Sequence, residues 1–462
     1  MPLDRRTVLR LWVLLAAGKL LPRLSVAAAG DPGTAERVIV VGAGVAGLAC
    51  ARALSDTGRM VIVLEGRDRI GGRVVTSRVW PDAPCDLGAS WIQGTRGNPI
   101  AHLAEQWGIE TKRAAPDEAT VYRADGHRLT EAEADRVDEV VKGVFAGVKA
   151  AQRAHDDDGE ALALGSVVER LLDEAGLDTT TRRDVEQALI ATIEHEYAAD
   201  MADLSLLYYD DASGTRGASV VFPGGYDQIP ARLAKGLDVR LGQVVVAIEH
   251  DAKGVVVRTK AAAFEADRVV VTLPLGVLKK GAVTFHPELP EAKRRAIERL
   301  GMGLLDKVWL RFPRVFRPQA DRDLVGFVGT TRGAWAETFD FRAVLGKPVL
   351  LCFQAGSVAR AAERLTDADL VASAMTWIRA AYGKDVPEPE AYQVTRWAAD
   401  PFTFGSYSYM AKGATPDDVK VLAAPIGSRV FFAGEATATR DPATVHGAYA
   451  SGLRAAEEIV AS

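Results

Sequence analysis

Cysteine is scarce in this chain. Cys50, Cys85 and Cys352 are its three cysteines in 462 residues, and their spacing fits no metal site. Cys50 falls in an apolar helical pattern and reads as a small core residue, while a bond between Cys85 and Cys352 stays open. Basic charge is not in excess either. Lys and Arg number 56 against 61 Asp and Glu, a balance that does not suit a nucleic-acid surface. No apolar run is long enough to span a bilayer, so stable membrane insertion is not expected. Internal repeats and long low-complexity linkers are absent. What is present is ordinary globular composition, 48% hydrophobic and 25% charged, in a chain long enough for two or three domain-sized cores.

The N-terminus reads as a targeting segment. Asp4-Arg5-Arg6-Thr7-Val8-Leu9-Arg10 carries adjacent arginines, an apolar stretch follows from Leu11 to Leu21, and Ser25-Val26-Ala27-Ala28-Ala29 offers small-residue cleavage sites. The segment resembles a bacterial twin-arginine signal, which implies export to the periplasm or beyond. Removing residues 1–29 would leave 51 basic and 60 acidic residues, a balance of −9. Such a surface mildly favours cationic small substrates by steering.

A nucleotide site is written just after this segment. Arg37-Val38-Ile39-Val40-Val41 reads as a buried strand running into Gly42-Ala43-Gly44-Val45-Ala46-Gly47. A helical pattern follows through Leu48, Ala51 and Leu54, then a second apolar run, Val61 to Leu64, ending at Glu65. Strand, glycine turn, helix, strand and acid form the dinucleotide fingerprint in its required context. Gly42 permits the turn, Gly44 lets the backbone approach a pyrophosphate, and Gly47 lets the helix sit close to the strand. The helix N-terminus offers N–H groups to phosphate, and Glu65 can accept from ribose hydroxyls.

Further motifs separate flavin from nicotinamide. Arg67-Asp68-Arg69-Ile70-Gly71-Gly72-Arg73 continues off the second strand, followed by Asp86-Leu87-Gly88-Ala89-Ser90-Trp91. Near the C-terminus stand Val430-Phe431-Phe432-Ala433-Gly434-Glu435 and Pro442 to Gly452, the latter opening a helix to Ile459. With these motifs the chain resembles the flavin-dependent amine oxidases over about residues 36–460. Thr272 to Lys279, Arg396 to Pro401 and Gly405-Ser406-Tyr407-Ser408-Tyr409 place it nearest the polyamine oxidase and histone demethylase branch.

The resemblance implies an α/β fold of mixed α+β character. A Rossmann-like FAD-binding domain is expected from segments 36–96, 219–300 and 425–462. A substrate-binding domain of helices and a mixed sheet is expected from 97–218 and 301–424. Helices are expected over Ala132–Ala154, Leu162–Ala175, Thr181–Tyr197 and Asp367–Tyr382. Strands are expected near Val239–Leu241, Val244–Glu249, Val255–Thr259, Arg268–Leu273, Asp306–Phe312, Val349–Phe353 and Tyr392–Trp397, with a turn at Ala252-Lys253-Gly254. The run His155 to Glu160 reads as a solvated acidic loop.

The activity implied is oxidation of a primary or secondary amine by hydride transfer to FAD, with oxygen as acceptor and peroxide and an imine or aldehyde as products. Partners are then a small amine and oxygen, with oligomeric state open. For the cofactor the implied residues are Gly42, Gly44, Ala46, Gly47, Glu65, Arg67, Gly72, Arg73, Ser90, Trp91, Val245, Trp397, Glu435, Thr444 and Val445, with Glu435 near the ribityl chain or pyrophosphate. In the family, a lysine at the position of Lys307 holds a water against the flavin, the tryptophan at Trp397 contacts the ring, and the tyrosine at Tyr407 walls the substrate cavity; these three are the catalytic candidates. Gln93, Glu194, Phe402 and Tyr407 are the substrate-binding candidates, and no metal is expected. His446 is expected to serve structurally.

Three departures qualify the resemblance. Ser406 stands where monoamine oxidases carry the cysteine that bonds the flavin, so FAD is expected to bind non-covalently. Thr444 replaces a second cage tyrosine. Gln93 is neutral where many polyamine oxidases place His or Glu. Rival readings are an L-amino-acid oxidase, which needs a carboxylate-clamping arginine such as Arg96, Arg113 or Arg216, and a flavin-binding protein without turnover. A nicotinamide dehydrogenase has no use for the Gly71-Gly72-Arg73 and Gly434-Glu435 motifs. Chromatin demethylation does not suit an exported protein.

Overall fold

Alternation along one strand explains the layers of the first half. In Arg37–Val41, Val38 and Val40 point to one face and Ile39 and Val41 to the other, and all four are buried. The first face packs on the helices Val45–Ser55 and Val445–Ala461. The second packs on Val245, Ile248, Val255 and Val257 from a separate mixed sheet. A stretch of strand buried on both faces has to be apolar, as Val38 to Val41 is.

In the computed structural model, residues 35–114, 119–155, 161–210, 214–318 and 321–462 are described. The twin-arginine segment and the acidic residues 156–160 lie outside them. The central sheet has five parallel strands in the order Val430–Phe432, Arg268–Val271, Arg37–Val41, Met60–Leu64 and Asp238–Arg240. Its strands come from three widely separated stretches of chain. A four-stranded sheet built around Val245–His250 and Val255–Thr259 covers one face. Asp251 Oδ1 accepts from Lys253 N at 2.7 Å and Gly254 N at 3.1 Å, which shapes the expected turn.

The second half rests on a six-stranded mixed sheet in the order Ala391–Val394, Leu305–Arg311, Val349–Ala355, Glu337–Asp340, Leu324–Val328 and Ala119–Arg123. Helices Glu131–His155, Leu164–Glu174 and Thr179–Leu189 bury Val144, Val148, Leu164, Val168, Val185 and Leu189 in a core of their own. The helix Asp367–Tyr382 has its expected bounds, with Thr366 Oγ1 accepting from Asp369 N.

Two elements differ from expectation. The helix expected over Thr181–Tyr197 is broken: Thr179–Leu189 gives way to a π-helical turn, Ile190–Glu194, and then to His195–Tyr197. The Thr192 hydroxyl donates to the Ala188 carbonyl at 2.7 Å, and Ala198 stops the helix at φ 54°. The strand expected to reach Trp397 ends at Val394. Beyond it the chain turns, because Asp306 Oδ1 accepts from both Thr395 Oγ1 and Trp397 N, at 2.7 and 3.1 Å. The three cysteines are buried and unbridged, and burial pushes each thiol up to about 12. Among the described residues no helix is long and apolar enough to cross a membrane.

Candidate active site

A cavity of about 1590 Å³ runs from the glycine turn to the six-stranded sheet. That exceeds the roughly 300–1,000 Å³ of sites for drug-sized ligands and leaves room for a dinucleotide and a second molecule.

At one end the backbone does the work. Gly42 has φ 109°, and a Cβ there would lie 2.6 Å from Thr272 Oγ1. A Cβ on Gly47 would lie 2.0 Å from the Gly42 carbonyl oxygen. Gly47 therefore packs beneath the turn and does not line the cavity. At Gly44 a Cβ would meet nothing within 4 Å, and this residue does line the cavity. The turn thus presents bare backbone to open space at a helix N-terminus, a cradle that fits a pyrophosphate. Glu65 is buried; its Oε2 accepts from Ala43 N at 2.8 Å and its Oε1 from Arg67 N at 2.9 Å. Each oxygen keeps a second lone pair at the cavity end where a ribose would lie.

The remaining cofactor candidates Ala46, Gly72, Ser90, Trp91, Val245, Trp397, Thr444 and Val445 line the same cavity. Arg67 pairs with Asp400 at 2.8 Å. Arg73 pairs with Glu435 at 2.7 Å. Glu435 is a hub, accepting also from Ser408 Oγ at 2.6 Å and Ala443 N at 3.0 Å. It ties the last helix to the Gly-Ser-Tyr-Ser-Tyr loop and keeps one side on the cavity. Thr444 caps the last helix, accepting from Gly447 N at 2.9 Å, and His446 Nε2 lies 3.8 Å from Asp441.

Lys307 stands where the two halves meet. Its Nζ donates to Asp86 O at 3.0 Å, to Ser90 Oγ at 2.6 Å and to Gly88 O. It also lies 5.9 Å from the Trp91 ring centroid. Burial holds the ammonium below its ordinary pKa, against the pull of Asp86. All three N–H groups thus meet protein oxygens, so a water held by this amine has to share or displace one of them. Ser90, whose hydroxyl can rotate, is the replaceable partner. On the opposite face of the strand, burial raises the Asp306 carboxyl to about 8, and it holds Trp397 N. Trp397 Nε1 donates to Leu87 O at 3.2 Å, which locks the indole at the cavity wall.

The far end is built from side chains. Trp91 meets Phe339, Phe341 and Phe353 at centroid distances of 5.7, 5.8 and 6.0 Å. The Tyr407 hydroxyl donates to His195 O at 2.9 Å, and burial, with Glu196, Glu337 and Glu435 nearby, pushes its pKa well up. Glu196 and Glu337 line the chamber with Tyr407. Gln93 Nε2 donates to Glu196 Oε1 at 3.3 Å, so the neutral residue steers an acid.

Two expectations need correction. Glu194 does not line the cavity. The π-helical turn rotates it inward, where it pairs with Arg332 at 2.8 Å and accepts from Met201 N at 3.2 Å; its successors His195 and Glu196 take the cavity face. Phe402 sits at the dinucleotide end. Its ring lies against Gly66, where a Cβ would come within 2.6 Å, and under the Arg67 guanidinium at 4.9 Å. Glu337 is a site residue that sequence reasoning does not reach, because it lies within a strand, Glu337–Asp340, whose local pattern carries no motif.

Comparison with known proteins agrees with this geometry. Residues 45–460 match the family described as flavin containing amine oxidoreductase. Lysine-specific histone demethylase 1 homolog 3 of Oryza sativa subsp. indica is 38% identical over 447 residues, covering 93% of this chain and 54% of the relative. The chain thus spans about half the length of such demethylases. Polyamine oxidase 4 of Oryza sativa subsp. japonica is 35% identical over 460 residues, covering 96% of this chain and 92% of the relative. The structure of wild-type putrescine oxidase bound to putrescine superposes with a TM-score of 0.76 at 21% identity, covering 92% of this chain and 99% of that one, and so shares the fold.

Proposed function

The chain belongs to the flavin-containing amine oxidoreductases, and from that premise we propose that it oxidises a small amine carrying a second cationic nitrogen, a diamine or polyamine. One observation carries this reading: Glu196 and Glu337 face the same aromatic chamber as Tyr407, at the end of the cavity away from the glycine turn. Glu337 is half-buried and Glu196 exposed on this wall, two carboxylates placed to attract a cationic ligand entering the chamber. A linear diamine would place one ammonium there and its other, uncharged nitrogen between Trp397 and Tyr407. Relatives named as polyamine and putrescine oxidases act on amines of this kind.

When bound, FAD would supply the acceptor for a hydride from the carbon next to nitrogen and the path of its two electrons to oxygen, with peroxide and an imine, hydrolysed by water to an aldehyde, as the products. The protein's share is binding, orientation and exclusion of water. The glycine turn and the N-terminus of Val45–Ser55 would hold the pyrophosphate, and Glu65 a ribose. Trp91, Phe353, Trp397 and Tyr407 wall the reacting carbon from solvent. Lys307, anchored on Asp86 and Gly88, presents a donor at the meeting point of cofactor and substrate. Ser406 Oγ is engaged with Leu305 N and O at 2.8 and 2.9 Å and forms no thioether, which supports non-covalent FAD.

The test is peroxide release from the purified holoenzyme against monoamines, diamines, polyamines, methyl-lysine peptides and L-amino acids. Arg113 and Arg216 also line the cavity, which keeps amino acids in the screen. Turnover confined to L-amino acids would overturn the reading. Export through the twin-arginine route belongs to the same proposal; Arg5→Lys with Arg6→Lys should leave the protein in the cytoplasm, and unchanged export would refute it.

A further inference from the structure

Resting on the reading of the chamber as an amine site, we propose that His195 is a positioning residue, which holds the Glu337 carboxylate at the chamber wall and fixes its distance from Tyr407. Nothing in the local sequence marks it. It follows the π-helical turn and precedes Glu196, and its side chain is 5% exposed.

Both ends of this residue are clamped. Its carbonyl accepts from the Tyr407 hydroxyl at 2.9 Å. Its ring Nδ1 lies 2.8 Å from Glu337 Oε2. The other ring nitrogen, Nε2, is buried with no hydrogen-bond partner among the described residues. That asymmetry selects one tautomer. A proton on Nδ1 makes a hydrogen bond to the carboxylate, whereas a proton on Nε2 would bury an unsatisfied donor and set two acceptors face to face. The ring therefore donates to Glu337, and one of its carboxylate oxygens is fixed.

The chain of contacts then runs Tyr407 hydroxyl, His195 main chain, His195 ring, Glu337 carboxylate. The aromatic wall beside the reacting carbon and the acid for the distant ammonium are joined by one residue. The Phe353 ring, 6.4 Å away between centroids, packs against the imidazole and limits its rotation. Such a link sets the spacing between the two ends of a bound diamine. A monoamine of the same carbon count uses only one end of it.

The experiment compares 1,4-diaminobutane with 1-aminobutane on native holoenzyme, His195→Phe, His195→Asn and Glu337→Gln, by steady-state kinetics and anaerobic flavin reduction. His195→Phe keeps a ring against Phe353 and removes the donor. It should raise the diamine KM by about tenfold, since the carboxylate loses the imidazole N–H that fixes that oxygen. The limiting rate of flavin reduction and the monoamine KM should each change by less than about twofold. His195→Asn, whose amide N–H can stand in for Nδ1–H, should recover most of the diamine KM. Equal losses on both substrates, or no recovery in the Asn variant, overturn the proposal. If Glu337→Gln separates diamine from monoamine while His195→Phe does not, His195 alone is overturned. If Glu337→Gln does not separate them, the diamine reading itself falls. Should the Phe variant come without flavin, His195→Leu takes its place under the same criteria.

Discussion

The two ends of the cavity are built on different principles. The dinucleotide end uses backbone: a turn at Gly42, bare peptide at Gly44, and a helix N-terminus, all within residues 42–47 and completed by Glu65. The amine end uses side chains: Gln93, His195, Glu196, Glu337 and Tyr407, drawn from four distant stretches of chain. Backbone recognition forces a residue type at a fixed spacing, because only glycine fits. Side-chain recognition forces only that a group arrive at a point in space, and any strand or helix can deliver it.

The sharpest way to break this contrast is at Gly44. A Cβ added there meets nothing within 4 Å, so the fold should survive valine at this position. FAD binding should weaken by at least about a hundredfold, roughly 2.8 kcal/mol, if the ligand lies against bare backbone. Visible absorbance and flavin titration of the refilled apoprotein decide it. Native affinity in Gly44→Val would show that the turn does not touch the cofactor. The matching change at the other end is Glu337→Gln. It should leave flavin content intact and lower kcat/KM for a diamine by about thirtyfold or more, with a far smaller loss for a monoamine. An equal loss on both substrates would place Glu337 in the scaffold.

Lys307 sits at the boundary and should belong to neither end alone. Lys307→Met should slow flavin reoxidation by oxygen at least about tenfold, some 1.4 kcal/mol of barrier, and slow reduction by amine less. Stopped-flow measurement of both half-reactions separates the two; an unchanged reoxidation rate assigns Lys307 to holding the Asp86–Ser90 loop only.

The smallest effect is expected behind it. Burial raises the Asp306 carboxyl from its ordinary value to about 8 in the folded protein. Between about pH 4 and 8 the native state then holds a proton that the unfolded chain has released. Its contribution to stability is present in full below that window and is lost as pH rises through it. Asp306→Asn has no such proton to lose, so its Tm relative to the native protein should rise by a few degrees from pH 5 to pH 8. A difference independent of pH would mean that Asp306 is ionised in the fold.

Much of this architecture is legible in the amino-acid sequence. The strand bounds Val255–Thr259 and helix bounds Asp367–Tyr382 follow from period-2 and period-3.6 patterns, which one element carries within itself. Resemblance assigns motif residues such as Arg73 and Glu435, or Lys307 and Ser90, to one site, and the fold joins them at 2.7 and 2.6 Å. Glu194 shows where that legibility ends. A regular helix is the simplest reading of Thr181–Tyr197, and the extra residue of a π-turn, supported by the Thr192 hydroxyl on the Ala188 carbonyl, shifts which side chain faces the cavity.

Local chemistry therefore settled the nucleotide turn, the buried strands and most helices of this protein. Their warrants are steric and periodic, and they act over a few residues. The packing of one half against the other settled the rest: Phe402 beside Arg67, Glu194 turned inward, and Glu337 brought to His195 across 142 residues of chain. Those contacts depend on where a sheet and a broken helix end in space, and no short stretch of sequence contains that position.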